Sequence, residues 1–190
     1  GFASQFDDRT KAVVLESPGT QTMEVCDIPA LAAIARGHGA LSLLDNTWAT
    51  ALGFTALEHG CDASVMALTK HVGGHADLMM GSVSAGEELY QRLRAKAQAL
   101  GQIVSPDDAA LALRGLRTLG VRLERQTASA LAIAEWLQGR SEVSHVLCPM
   151  LSGATGHELW QRDFTGGCGL FSFVLKGGTP SARARFIDAL

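Results

Sequence analysis

The chain has 190 residues, 47% apolar and 18% charged, which is enough for one large domain or a domain with part of a second, and which excludes long disorder. A net charge of -3 with 16 dispersed basic residues offers no footprint for nucleic acid or an anionic membrane. Cys26, Cys61, Cys148 and Cys168 form no Cys-x-x-Cys pair, so they read as free thiols of a reducing compartment and exclude a disulfide scaffold or a zinc site. No apolar stretch is long enough to span a bilayer and no signal peptide is visible, so a cytoplasmic protein is expected.

Ala12 to Leu15 is a short buried strand, broken by Ser17-Pro18-Gly19-Thr20. Asp27 can cap a helix with Pro29 in its first turn, ending near Gly37 and Gly39. Leu41 to Leu44 and Ala63 to Leu68 are the next strands, and Leu78 to Val83 is a fourth apolar run containing Gly81. Strands alternating with helices at this spacing predict an α/β fold with a mostly parallel, helix-covered sheet. From Glu87 to Leu100 the residues Leu89, Leu93, Ala97 and Leu100 fall on one helical stripe. Ser105-Pro106-Asp107-Asp108 starts another helix, Gly120 interrupts it, and a further helical run ends at Gly139. Val143 to Leu147 and Gly169 to Leu175 read as strands of a second domain, and Thr179-Pro180 opens a last helix.

The parallel reading has a chemical consequence. Asp45 ends one strand and Lys70 follows another, so the sheet delivers a carboxylate and an amine to one edge, where open α/β sheets bind ligands. That pair suits pyridoxal phosphate: the amine bonds the aldehyde, and the carboxylate holds the ring nitrogen protonated. Thr69 could add a hydroxyl for the phosphate, and Gly73-Gly74 allow close backbone approach. Each residue also has a plainer reading. A lysine is normally a solvated charge, an Asp before Asn-Thr is often a turn former, and Thr suits a strand. Lys176 also ends an apolar run but has no acid from a neighbouring strand end. His71, His75 and Asp77 lack the helix and glutamate of a zinc motif, so no metal is assigned. Trp48 and Phe54 read as packing near the crevice, and Arg114, Arg117, Arg122 and Arg125 as a solvated or ion-paired helix face.

Five stretches then carry a resemblance: Leu15-Glu16-Ser17-Pro18-Gly19, Asp45-Asn46-Thr47-Trp48, Ala67 through Asp77 around Lys70, Arg114-Gly115-Leu116-Arg117-Thr118-Leu119, and Gly156 through Gly166. Over essentially its whole length the chain resembles the Cys/Met-metabolism family of pyridoxal phosphate enzymes, and within it the bacterial cystathionine β-lyase branch. The resemblance implies the aspartate-aminotransferase-like fold (fold type I). Residues 1-118 would be part of its cofactor-binding large domain, and residues 119-190 a linking helix and the start of a smaller α+β C-terminal domain. It implies that Lys70 binds the cofactor covalently, Asp45 pairs with the pyridine nitrogen and Thr69 contacts the phosphate. Cystathionine or a cysteine S-conjugate would be the substrate, and a homotetramer the assembly. Ala67 stands where many members carry serine, Thr20 where many carry asparagine, and Ala51 where many carry proline. The first two departures favour the β-lyase branch and put phosphate contacts at those positions in doubt.

Family members also carry an amino-terminal phosphate loop, a tyrosine stacked on the cofactor and a carboxyl-terminal arginine for the substrate carboxylate. The only tyrosine here is Tyr90, on a helix face, so the chain reads as the middle half of a longer enzyme. Two alternatives stay open: a sister activity (cystathionine γ-lyase, γ-synthase or methionine γ-lyase), or a non-catalytic unit retaining only the fold.

Overall fold

A computed structural model describes residues 1-189. Its main sheet has four strands in sequence order: β1 (Ala12–Glu16), β2 (Leu41–Asp45), β3 (Ala63–Ala67) and β4 (Gly81–Ala85). The first three are parallel and β4 is antiparallel to β3. The predicted α/β class with a mostly parallel sheet is therefore what the chain adopts.

Helix α1 (Ile28–Gly37) crosses from β1 to β2, with Asp27 Oδ1 accepting from Ala30 N at its start. Its Ile28 and Ala32 join Leu15 and Leu44 in the core, so the covered face of the sheet is the one carrying Val13, Leu15 and Leu44. The opposite face carries Asp45 and lines it up with Glu16, Val65 and Val83. That face is open at its margins: Val14 is 78% and Val83 49% exposed.

After the short α2 (Thr50–Gly53), the helices α3 (Glu87–Ala99), α4 (Pro106–Leu116) and α5 (Leu119–Gln138) follow. The stripe on α3 does not become core, since no residue of that helix is buried. The break between α4 and α5 falls at Arg117 and Thr118, and Gly120 lies inside the first turn of α5. A second, antiparallel two-stranded sheet pairs β5 (Val143–Leu147) with β6 (Ser172–Leu175). Strand β6 starts later than its apolar run, because the Leu170 carbonyl accepts from Trp48 Nε1 at 2.9 Å instead of joining the ladder.

Helix α6 (His157–Asp163) is too short to show periodicity in the sequence, and α7 (Pro180–Asp188) starts at a Thr179 cap as predicted. Arg162 fixes α6: its guanidinium reaches both oxygens of the buried Asp163 and both of Asp27. One apolar cluster runs through both sheets, joining Leu15, Trp48, Phe54 and Leu119 to Cys148, Phe164 and Cys168. All four cysteines are free, and no described helix is long and apolar enough to cross a membrane.

Candidate active site

Two side-chain clips set how β2 and β3 meet. At their amino ends, Asp62 Oδ2 accepts from Ser42 N at 2.8 Å and from Ser42 Oγ at 2.9 Å, which satisfies a fully buried serine. At their carboxyl ends, Thr47 Oγ1 accepts from Ala67 N at 2.9 Å. With Asp45 opposite Val65, the strand that ends in Asp45 and the strand that leads to Lys70 finish on the same edge.

Asp45 is half-buried, and its Oδ1 accepts from Thr47 N at 2.9 Å in a local turn. Its Oδ2 carries no hydrogen bond among the described residues. The Asn46 side chain, 1% exposed, holds the following turn by donating to Thr50 O at 3.1 Å and Phe54 O at 2.8 Å.

Lys70 is exposed, and its amine makes no ion pair or hydrogen bond among the described residues. It lines a small cleft of about 40 Å³ with Glu16, Pro18, Thr47, Trp48, His71 and Leu170. The enclosed part has room for about one water, so a ring with its phosphate would occupy the open side. The Trp48 ring is anchored there by its bond to Leu170 O and by an edge contact with Phe164. His71 is half-buried. Burial first, then the charges of Lys70 and Arg122, hold its imidazole below the ordinary value of 6.5.

Thr69 lies beside Lys70, but its hydroxyl is engaged: Oγ1 accepts from Met80 N at 3.0 Å and donates to Met80 O at 3.3 Å. The fold thus brings the sequence-predicted Asp45 and Lys70 to one edge, and ties the predicted Thr69 to the approach of β4. Lys176 lies elsewhere, after β6, with its backbone N bonded to Glu142 O. Lys70 lines the cleft and Asp45 does not, but the two stand on the same sheet edge, and an amine and a carboxylate suit the aldehyde and the ring nitrogen of pyridoxal phosphate.

One expectation needs correction. Arg122 does not belong to a solvated or ion-paired helix face. Its Nη1 donates to His71 O at 2.6 Å, its Nη2 to Val72 O at 3.1 Å and Gly115 O at 2.8 Å, and its Nε to Thr118 Oγ1 at 3.0 Å. Arg114 is ion-paired, with Asp77 at 2.7 Å. Arginines recurring every three to five residues hide this difference, but the nearby glycines signal it: a Cβ on Gly74 or Gly115 would run into Arg122 and Val72 O respectively.

The sequence matches the Cys/Met metabolism PLP-dependent enzyme family over residues 1–190. It is 49% identical to the cystathionine beta-lyase of Escherichia coli strain K12, covering 88% of this chain and 43% of that protein. It is 48% identical to the cystathionine beta-lyase of Salmonella typhimurium strain LT2, covering 94% and 46%. The fold superposes on the crystal structure of cystathionine gamma synthase from Xanthomonas oryzae pv. oryzae, in complex with aminoacrylate and cysteine, with a TM-score of 0.90 at 38% identity, covering 95% of this chain and 46% of that one. The chain therefore spans less than half the length of each of these relatives. The cofactor of this group is pyridoxal phosphate, which agrees with the amine and carboxylate found at the sheet edge. From the motif around Lys70 to the paired strand ends, this chain belongs to the Cys/Met metabolism PLP-dependent enzyme family.

Proposed function

We propose that this chain forms part of a carbon–sulfur lyase that cleaves cystathionine by β-elimination to homocysteine, pyruvate and ammonia. The observation that carries the reading is the free Lys70 amine on the same sheet edge as the free Asp45 oxygen. Identities of 48% and 49% to cystathionine beta-lyases support the β-lyase branch. Ala67 and Thr20 support it as well, because they depart from the serine and asparagine common in the γ-branches.

Pyridoxal phosphate, when bound, supplies an electron sink for the charge left at the substrate α-carbon. Lys70 Nζ would hold its aldehyde and, as a free amine at hydrogen-bond range, would serve as the general base for the substrate α-proton. Asp45 Oδ2 would accept a hydrogen bond from the ring nitrogen and keep that nitrogen protonated. Trp48 and Pro18 wall the Lys70 side and limit water. Thr69 Oγ1 would donate a hydrogen bond to the phosphate in place of its 3.3 Å bond to Met80 O, while still accepting from Met80 N.

Residues 1-118 are assigned to the cofactor-binding domain and 119-190 to the linking helix and the start of the C-terminal domain. The protein acts in the cytoplasm as a homotetramer. The similarity to cystathionine gamma synthase favours a γ-branch activity as the second reading. A product assay with cystathionine separates them: pyruvate supports the β-lyase, 2-oxobutyrate a γ-lyase. Cystathionine formation from an activated homoserine and cysteine would support a synthase.

A further inference from the structure

The turn after Lys70 has an unusual demand for donors. Its N–H groups are served locally, Gly73 N by Leu68 O at 2.7 Å and Gly74 N by Lys70 O at 2.8 Å. The His71 and Val72 carbonyls find no backbone donor, and Val72 is only 5% exposed. Carbonyls in such a place require donors from elsewhere. Arg122, one turn into α5, supplies them to both, and the same guanidinium also serves the Gly115 carbonyl near the end of α4.

Two glycines make room for this contact. Gly74 has φ +73° and would press a Cβ into the guanidinium, while Gly115 would press one into Val72 O. The Arg114–Asp77 pair links α4 to the same loop, but its side chains are 55% and 40% exposed, so solvent screens it.

We propose that Arg122 is a positioning residue for Lys70: it pins the 71-74 turn through the His71 and Val72 carbonyls, and so fixes where the amine meets the cofactor. The inference rests on the reading of Lys70 as the cofactor amine. It acts through the lysine, since Arg122 bonds the turn and not the cleft. Arginine is required by geometry, because three carbonyls and a hydroxyl are met by one planar fork that an ammonium cannot imitate.

The test compares the wild type with Arg122→Ala and Arg122→Lys. Hydrogen exchange is read at Gly73 and Gly74, with the β2 amides as reference. The rate of pyridoxal phosphate attachment to Lys70 is read by borohydride trapping. In both variants, exchange at Gly73 and Gly74 rises about tenfold or more and trapping slows by about tenfold, for loss of charge-assisted bonds. The β2 amides stay within about twofold. Guanidinium ion restores trapping to Arg122→Ala in part.

The inference is overturned if Arg122→Ala keeps wild-type exchange and trapping. It is also overturned if Arg122→Lys matches the wild type, or if β2 loses protection together with the turn. Should the wild type fail to trap cofactor at Lys70, the cofactor reading fails, while the exchange measurement still decides whether Arg122 pins the turn.

Discussion

Replacing Gly115 by alanine tests the contact between α4 and the lysine turn, and its sign is the informative quantity. In an exposed helix interior, Gly→Ala stabilises by about 1 kcal/mol through helix propensity. At Gly115 the new methyl would overlap Val72 O, with Gly73 O at 2.8 Å and the Val72 carbonyl carbon at 3.0 Å. These are backbone atoms of a buried turn, and α4 cannot simply retreat, because Ala112 is buried on the same helix and Arg122 bonds the Gly115 carbonyl. Overpacking of this kind costs about 1–3 kcal/mol. A clash with backbone atoms that cannot rotate away takes the upper part of that range, about 2–3 kcal/mol, so after the propensity gain a net loss of about 1–2 kcal/mol is expected. At roughly 2–4 °C per kcal/mol for a chain of this size, that is a visible drop in Tm. Gly120 in α5 is the control, since a Cβ there meets nothing within 4 Å. Gly120→Ala should leave stability unchanged or raise it by up to about 1 kcal/mol. Urea unfolding followed by circular dichroism measures both. A Gly115→Ala variant as stable as the wild type would refute the close approach and the part Arg122 plays in it.

Two further outcomes follow from the same geometry. Asn46→Ala removes the bond that holds the buried Phe54 carbonyl and should cost about 1–3 kcal/mol in urea unfolding, whereas no loss would mean the turn does not depend on that amide. The Arg162 fork, then the Ala30 N–H, hold the Asp27 carboxyl below its ordinary 3.8. A lowered folded value means that this stabilisation is present above 3.8 and is lost as pH falls through the folded value. Asp27→Asn should therefore be less stable than the wild type near neutral pH, with the gap closing in acid. With the Asp27 side chain 39% exposed, that gap stays below about 1 kcal/mol and shrinks in salt; a gap that widened in acid would reverse the sign of the argument.

The sheet was legible because apolar runs of four or five residues ended at chemically distinct residues. Asp45 and Lys70 came from that rule alone, since parallel strands must finish on a common edge. Strand β4 was harder: Leu78 of the apolar run is buried, but pairing begins at Gly81, in a polar Gly-Ser-Val-Ser-Ala edge strand with little hydrophobic signal. The α3 stripe shows the reverse error, because periodicity marks an apolar face without saying what covers it. Arg122 was illegible from spacing. An arginine that caps a turn and one that faces water look alike until the carbonyls are counted. The sequence offers the Thr69 hydroxyl to a phosphate but gives no sign of its bonds to Met80, which close the β3–β4 connection.

The claim on which the account rests is that one particular amine holds the cofactor. The chain has four lysines, Lys11, Lys70, Lys96 and Lys176. Incubation of the protein with pyridoxal phosphate, borohydride reduction, digestion and peptide mass spectrometry will report which of them is modified. The account predicts the pyridoxyl mass on the Lys70 peptide, with Asp45→Ala reducing its yield. A pyridoxyl mass on Lys176 or another lysine, or none on Lys70, would contradict it.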